Sequence, residues 1–341
     1  MSPFKTKKFN VYHLLLLSGL VAFATFCITD VWQKNKNTEQ ASAGSNSQLC
    51  KLNVKRLSGL KYIKPIMFAD DDCESVNLQA VKQRISEIIN RYKTAEGITS
   101  TSVYLRDFDN NEWTLINENE KYKPGSLLKV AVLITILKMN EENPGFLNKE
   151  ILYNQSFAID KSVAYINKSI TIGQKYTVKE LLNYMIQYSD NNATALLESN
   201  MKISIFKDLF TDLGLETPNE YSKEYLMTVN QYSYFMRAIY NAAYLTIKES
   251  EYAAEFLTKC EFKDGIIKGL PQGTLVAHKF GESGDLSEKQ LHESAIVYLD
   301  GTTYLLTIMT KGKDNQKLLK LIAEISQAVY LEMHNGEASV M

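Results

Sequence analysis

The order in which helical and strand patterns follow one another constrains the fold of this 341-residue chain more than any other feature. Strand patterns stand near both ends of the globular part, and a long helical stretch lies between them. The predicted elements, in order, are a helix at 76–92, strands at 101–108 and 112–117, helices up to about residue 257, strands at 275–280, 294–299 and 303–310, and a helix at 315–333.

Turn residues separate the strands at both ends. Asp109-Asn110-Asn111 lies between the first two strands, and Asp300-Gly301 lies between the last two, so each pair is predicted to form a β-hairpin. We therefore predict an α/β fold of the α+β kind, in which an antiparallel sheet is flanked by the terminal helices and carries an all-helical insertion. The cleft between the sheet and the insertion is the natural place for a functional site.

The first 49 residues differ from the rest. Three lysines precede an apolar run over 11–32, which predicts a signal peptide or an uncleaved anchor and an extracytoplasmic location. Because the apolar run continues past a possible cleavage site at Ala24, residues 1–32 are predicted to be a signal anchor in the membrane. Polar residues 33–49 predict a flexible linker, and 50–341 remain as the domain.

Composition and charge exclude several classes of function. The chain is 45% apolar and 23% charged, as globular proteins are, and its net charge of −1 gives no reason to expect a nucleic-acid partner. The cysteines and histidines show no metal-ligand spacing, so neither a metal nor a cofactor is expected. An exported domain permits a disulfide between Cys50 and Cys73, and two free buried thiols are the alternative.

A nucleophilic serine is indicated by Ser126-Leu-Leu-Lys129, which directly follows Pro124-Gly125. A serine hydroxyl is a weak nucleophile unless a base lies beside it, and the i,i+3 spacing at a helix start puts the Lys129 amine on the same face. Burial and nearby positive charge lower the pKa of such an amine, which can then take the proton. The alternative is a helix-capping serine and a solvent-facing lysine, because S-x-x-K occurs at four other places in the chain.

Ser189-Asp190-Asn191 follows an apolar-periodic helix over 178–187. In a functional interpretation the Ser189 hydroxyl passes a proton to the leaving nitrogen, and the Asn191 side chain holds the substrate amide. The alternative is a helix stop and restart, since all three residue types favour caps and turns.

Lys279-Phe280-Gly281 ends a predicted strand. A strand edge can pair with an extended peptide, Lys279 would attract its carboxylate, and Gly281 lets another backbone approach closely. The alternative is a surface strand whose edge is protected by a lysine.

The three motifs, in this order, resemble those of the class A β-lactamase and penicillin-binding serine hydrolase family. The resemblance covers about residues 76–335 and includes YKPGSLLKV, QYSDNNATALLE and VAHKFGESGD. It implies a β-lactamase/transpeptidase-like fold and a small β-lactam or D-alanyl-peptide substrate. The implied roles are Ser126 as acylated nucleophile, Lys129 as proton acceptor, Ser189 as proton relay, Asn191 and Lys279 as substrate-binding side chains, and the N–H groups of Ser126 and of Glu282, just past Gly281, as oxyanion hole.

The chain departs from that family at two points. Class A β-lactamases carry an E-x-x-L-N string whose glutamate activates the deacylating water, and none follows Asn191 here; Glu216, Glu220 and Glu224 are the nearby carboxylates. Phe280 replaces a hydroxyl residue, for which Ser283 is the candidate substitute. We therefore expect a slowly deacylating D-alanyl-peptide hydrolase. The alternatives are a true β-lactamase that uses Glu224, and a catalytically idle member that binds peptidoglycan or a partner protein.

Overall fold

A computed structural model describes residues 50–57, 59–157, 165, 168–218, 225–284 and 287–338. The predicted anchor (1–32) and linker (33–49) lie outside the described residues, as do Glu220 and Glu224. Within the described ranges no helix has both the length and the apolar character needed to cross a bilayer. The chain divides into two units, and the second, Leu52–Met341, carries all the elements below.

The bounds of the elements are as follows. The strands are β1 (Leu52–Arg56), β2 (Ile66–Asp71), β3 (Ile98–Asp107), β4 (Glu112–Ile116), β5 (Glu150–Leu152), β6 (Lys175–Thr177), β7 (Leu275–Gly284), β8 (Lys289–Tyr298) and β9 (Thr303–Gly312). The α-helices are α1 (Gln79–Ala95), α2 (Lys129–Glu142), α3 (Val178–Gln187), α4 (Asn191–Glu198), α5 (Ile203–Leu213), α6 (Val229–Tyr240), α7 (Ile247–Thr258) and α8 (Asn315–Ala338).

The main sheet has five antiparallel strands in the order β4-β3-β9-β8-β7, so both ends of the domain contribute to it. Side chains alternate between its faces along β9. Leu306 and Ile308 pack with the terminal helices α1 and α8, whereas Leu305 and Met309 pack with the helical region. The predicted fold class, an antiparallel sheet with flanking terminal helices and an all-helical insertion, is confirmed.

The helix predicted from Val76 begins later, at Gln79. The Val76 side chain is 83% exposed, and the buried apolar face starts only at Leu78. The helix predicted at 178–187 has those bounds because Thr177 and Glu180 form a capping box at its start. Periodicity located both helices, and a side-chain cap fixes the start of α3 but not that of α1.

Residues 50–73 gave no element from sequence, but they form the β1–β2 hairpin. Cys50 and Cys73, at the two ends of this segment, are both disulfide-bonded, and their sulfur atoms lie within 4.8 Å of each other. The disulfide alternative is therefore the correct one for this pair.

A buried ion cluster joins the hairpin to the domain. Both carboxylate oxygens of Asp70, in β2, accept a hydrogen bond from Arg237 of α6 (2.6 Å each). Asp70 also forms an ion pair with Arg106 of β3 (2.9 Å). The two arginine side chains are 2% and 4% exposed. The Asp70 carboxylate neutralises the positive charge of both guanidinium groups. It therefore links β2, β3 and α6, which are far apart in the sequence.

Replacement of Asp70 by alanine should destabilise the fold, because it leaves two buried guanidinium groups without their carboxylate. We expect Asp70→Ala to lower the free energy of unfolding by about 3 kcal/mol. Urea unfolding followed by circular dichroism measures this, and Asp208→Ala, on an exposed position of α5, is the control. Equal stability of the two variants would contradict the role given to Asp70.

Candidate active site

The turn that carries Ser126 is fixed by the ends of strands β7 and β8. The backbone N–H of Lys123 donates to Gln290 Oε1 (2.9 Å). The Lys123 carbonyl accepts from Ser283 Oγ (2.8 Å) and from His292 Nε2 (3.0 Å). Burial lowers the pKa of His292 to about 4, so this ring is neutral and its Nε2–H is the donor. Three side chains from the sheet therefore hold the residues just before the nucleophile.

Two glycines let this turn and strand β7 approach each other closely. A Cβ on Gly125 would lie 2.2 Å from the carbonyl oxygen of Glu282, and one on Gly281 would lie 2.4 Å from the carbonyl oxygen of Pro124. Gly125 also has φ 54, which favours glycine. The contact brings together the two backbone segments whose N–H groups, on Ser126 and Glu282, the resemblance assigns to the oxyanion hole.

Ser126 lies in a single 3₁₀ turn, Gly125–Leu128, and α2 begins at Lys129. Three residues make one turn of a 3₁₀ helix, so side chains three apart eclipse each other. The spacing agrees with the predicted common face of Ser126 and Lys129, although the turn is 3₁₀ rather than α. The recorded hydrogen-bond partners of Lys129 Nζ lie on the loop between α3 and α4, and Ser126 Oγ is not among them. Ser126 is half-buried, whereas Lys129 is 4% exposed.

The Lys129 ammonium reaches the loop between α3 and α4. Its Nζ donates to the Ser189 carbonyl (2.6 Å), to Ser189 Oγ (3.0 Å) and to Asn191 Oδ1 (2.6 Å). All three acceptors are uncharged, so none of these contacts adds a full negative charge beside the amine. The structure thus brings together the first two sequence motifs at one hydrogen-bonded point.

The Ser189 loop has the geometry that this contact requires. Ser189 has φ 54, an uncommon left-handed conformation for a non-glycine residue. Asp190 caps α4 and accepts from Asn192 N (2.9 Å), and it also accepts from Ser169 Oγ (2.8 Å) and Ile170 N (2.9 Å). The predicted helix stop and restart is therefore present, and it also directs Ser189 into the site.

Lys279 brings the third motif to the same hydroxyl. It lies on β7, the edge strand of the sheet, and its Nζ donates to Ser189 Oγ (3.0 Å) and to the Phe280 carbonyl (2.9 Å). The side chain is fully buried. One hydroxyl, Ser189 Oγ, therefore lies between the ammonium groups of Lys129 and Lys279.

The electrostatics of the two lysines follow from this arrangement. Burial lowers the pKa of Lys129 well below its usual value, and the charge of Lys279 lowers it further. Burial also lowers the pKa of Lys279, to about 8, although Cys260, Glu293 and Glu282 oppose the shift. Lys129 can therefore be neutral, and act as a base, at a pH where Lys279 still carries its proton.

Phe280 does not supply the hydroxyl found in related motifs. Its ring is buried, stacks on Phe262 with centroids 4.2 Å apart, and has the Lys279 ammonium 3.9 Å from its centroid. Tyr165 meets both rings edge-on. Ser283 Oγ donates to the backbone of Lys123, so it holds the nucleophile turn in place.

Sequence reasoning missed a buried cluster behind β7. His278 Nδ1 lies 2.8 Å from Glu293 Oε1, and the other oxygen of Glu293 accepts from Ile266 N (2.7 Å). Burial alone lowers the pKa of His278, but Cys260 and Glu293 more than offset this and raise it to about 10. Burial alone raises the pKa of the Cys260 thiol, but His278 and Lys279 more than offset this and lower it to about 7. The three partners are far apart in sequence, so no local motif signals them.

Carboxylates able to activate a deacylating water are scarce around the described site. Glu216 is exposed, as an ordinary loop carboxylate is, and Tyr225 Oη donates to its carbonyl (2.8 Å). Glu198, at the end of α4, is exposed as a residue, but burial of its carboxyl group raises its pKa, and its charge acts on Lys129. Glu224, the carboxylate named for the β-lactamase alternative, lies outside the described residues.

Comparison with known proteins gives one consistent group of relatives. A profile of the Beta-lactamase enzyme family matches residues 80–333. The extended-spectrum β-lactamase PER-1 of Pseudomonas aeruginosa is 26% identical over 280 residues, which cover 73% of this chain and 86% of PER-1. A variant of PBP-A, solved as its acyl-enzyme complex with penicillin G, superposes with TM-score 0.64 at 18% identity, covering 76% of this chain and 97% of that one. The class A β-lactamase from Mycobacterium abscessus superposes with TM-score 0.61 at 20% identity, covering 73% and 98%.

The cluster behind β7 can be tested through stability. We expect His278→Gln to lower the free energy of unfolding by about 3 kcal/mol at neutral pH, since it removes the cation beside buried Glu293. Because the folded pKa of His278 is raised, the stabilisation is complete below the unfolded pKa and is lost as pH rises towards 10. Urea unfolding at pH 7 and pH 10 measures the difference. His334→Gln, on the exposed end of α8, is the control, and a difference that stays constant with pH would contradict the prediction.

Proposed function

Because the chain belongs to the β-lactamase enzyme family, we propose that it is a serine acyl-enzyme of the penicillin-binding type that hydrolyses D-alanyl peptides of the cell wall. It would react with β-lactams at Ser126 and release them slowly. The observation that carries the proposal is the hydrogen-bonded chain from Lys129 through Ser189 to Lys279, beside the turn that presents Ser126.

Acylation can be written with these groups alone. Neutral Lys129 removes the proton of Ser126 Oγ, which attacks the carbonyl carbon of the substrate and forms the Oγ–C bond. The developing oxyanion accepts from the N–H groups of Ser126 and Glu282. The proton then moves from Lys129 to Ser189 Oγ, 3.0 Å away, and the Ser189 proton goes to the leaving nitrogen as the C–N bond breaks.

The edge of β7 supplies the substrate-binding surface. An extended peptide can add to an edge strand through backbone hydrogen bonds, which suits a D-alanyl peptide. Asn191 lies across the cleft, where its side chain already accepts from Lys129. The Lys279 ammonium supplies the positive potential for the terminal carboxylate, and no arginine follows Arg237 in the chain to assist it.

Slow deacylation is supported by what the described site lacks. The chain has no E-x-x-L-N string after Asn191, and the described loop carboxylate Glu216 is solvent-exposed. Glu198, whose pKa is raised by burial, is the described carboxylate that the variants below test. Hydrolysis of the acyl-enzyme needs a base that directs water at the ester. Without one held at the ester, the acyl group remains on Ser126.

An extracytoplasmic, membrane-anchored location is part of the proposal. It is supported by the basic and apolar pattern of residues 1–32 and by the disulfide-bonded state of Cys50 and Cys73, since disulfides persist in oxidising compartments.

Intact-mass spectrometry of the full-length chain in detergent tests the acyl-enzyme directly. After mixing with penicillin G we expect a mass increase equal to the drug, stable from minutes to hours, and no increase for Ser126→Ala. The nucleophile of such enzymes attacks the β-lactam carbonyl and retains the whole molecule, so the added mass identifies acylation.

Two other results would favour other functions. A transient adduct with continued drug loss would make the protein a true β-lactamase. Glu198→Gln and Glu224→Gln would then show which carboxylate activates the deacylating water, because loss of that base traps the adduct. Absence of any adduct in a folded protein would favour the idle, binding-only member, with Phe280 beside Lys279 as the structural reason.

The pH dependence of acylation should be bell-shaped. The rate of labelling by a fluorescent penicillin should rise as Lys129 loses its proton and fall above about pH 8 as Lys279 loses its own. In Lys279→Ala the alkaline fall should vanish. The rise should also move to higher pH, because the charge that lowers the pKa of Lys129 is gone. Exposed Lys313→Ala is the control, and an unchanged profile in Lys279→Ala would contradict the lysine pairing.

A further inference from the structure

The β1–β2 hairpin has one face packed on the domain. The strand register pairs Lys55 with Phe68, so the two residues share a face. Phe68 stacks on Tyr234 of α6 with centroids 5.5 Å apart, and the Lys55 ammonium lies 4.8 Å from the centroid of the same ring. Asp70, two residues on from Phe68, binds Arg237 from this side.

The other face is apolar and exposed. Leu52 and Val54 alternate with the inward residues of β1 and are 62% and 37% exposed, and Ile66, paired with Arg56, is 53% exposed. The loop between the strands adds three more exposed apolar side chains. The hairpin patch, as we define it, consists of Leu52, Val54, Leu60, Tyr62, Ile63 and Ile66.

The exposed apolar side chains of the described residues are concentrated in the hairpin patch. It holds six of the thirteen large apolar side chains that are exposed among the described residues, within fifteen positions of the chain. Tyr62 is 86% exposed, the most of all thirteen. Exposed apolar side chains concentrated in one segment indicate an interaction site.

The charged residues from Lys51 to Ile66, which include the loop end of the patch, are all basic. From Lys51 to Ile66 the sequence carries five basic residues and no acidic one, while the whole chain has a net charge of −1. Lys61, Lys64 and Arg56 are exposed, as the patch is. The nearest acidic side chain on the outer face is Asp71, which pairs with Leu52 at the end of the hairpin away from the loop. Basic residues interleaved with apolar ones suit a surface with anionic headgroups above an apolar interior.

The position of the hairpin in the chain favours the same partner. The predicted linker of residues 33–49 ends just before Cys50, and the predicted anchor precedes it. A flexible linker of this length spans roughly 20–25 Å on average. Such a tether would hold the patch at high effective concentration beside the bilayer.

We propose that the hairpin patch binds an anionic lipid surface, with Leu60, Tyr62 and Ile63 inserted at the headgroup boundary and Lys61, Lys64 and Arg56 against the phosphates. The inner face stays on α6, so binding would fix the orientation of the domain on the membrane. This inference does not depend on the reaction proposed for Ser126.

Tryptophan emission in vesicles tests it with the full-length chain. The Tyr62→Trp variant is reconstituted in phosphatidylglycerol vesicles whose acyl chains are brominated, since bromine quenches tryptophan emission. The unsubstituted chain already contains Trp32 and Trp113, so its emission is subtracted. Ile247→Trp is the matched control, because Ile247 is 82% exposed at the start of α7, away from the hairpin. We expect a blue-shifted emission and at least twofold stronger quenching for Tyr62→Trp than for Ile247→Trp.

The charge requirement is tested in the same assay. Lys61→Glu together with Lys64→Glu, added to Tyr62→Trp, should abolish the excess quenching, as should phosphatidylcholine vesicles. Equal quenching of Tyr62→Trp and Ile247→Trp in the phosphatidylglycerol vesicles would overturn the proposal. So would excess quenching that survives both the charge reversals and the neutral lipid.

Discussion

The hydroxyl of Ser189 is the point on which the site depends, because it accepts from two buried ammonium groups at once. Lys129 reaches it from the helical region and Lys279 from the edge of the sheet, each at 3.0 Å. Burial lowers the pKa of both amines, and the charge of Lys279 lowers the pKa of Lys129 further. The burial that costs stability therefore makes Lys129 available as a base.

The cleft around this hydroxyl is assembled by backbone contacts as much as by side chains. Gly125 and Gly281 let the nucleophile turn touch strand β7, and Lys123 is held by three side chains of the sheet. The sheet therefore holds the turn that carries Ser126, while the capped loop between α3 and α4 holds Ser189. Such support is what keeps reacting groups within the narrow geometry that catalysis needs.

Sequence predicted the parts of this protein that local pattern encodes. The strands predicted at 275–280, 294–299 and 303–310 and the inter-helix position of Ser189 follow from periodicity and turn residues, and all of them exist. The bounds of two strands were wrong: β8 begins at Lys289 rather than at 294, and β7 runs to Gly284, so Lys279-Phe280-Gly281 lies within the strand instead of ending it. The β1–β2 hairpin was missed because its outer residues, Leu52 and Ile66 among them, are exposed and carry no buried alternation. The pairing of His278 with Glu293 was missed because only the sheet register brings them together.

The pairing of β3 with β9 also delays the folding of the main sheet. Val103 pairs with Ile308, about 200 residues further along the chain, so the centre of the sheet cannot form until nearly the whole sequence is available. Contacts of such long sequence separation make folding slow, since the intervening loop must close first. Under the extracytoplasmic location that we propose, the chain crosses a membrane as an extended polypeptide, and this delay is an advantage. The N-terminal half holds the β1–β2 hairpin but only two of the five strands of the main sheet, so that sheet cannot be completed before the C-terminal strands follow.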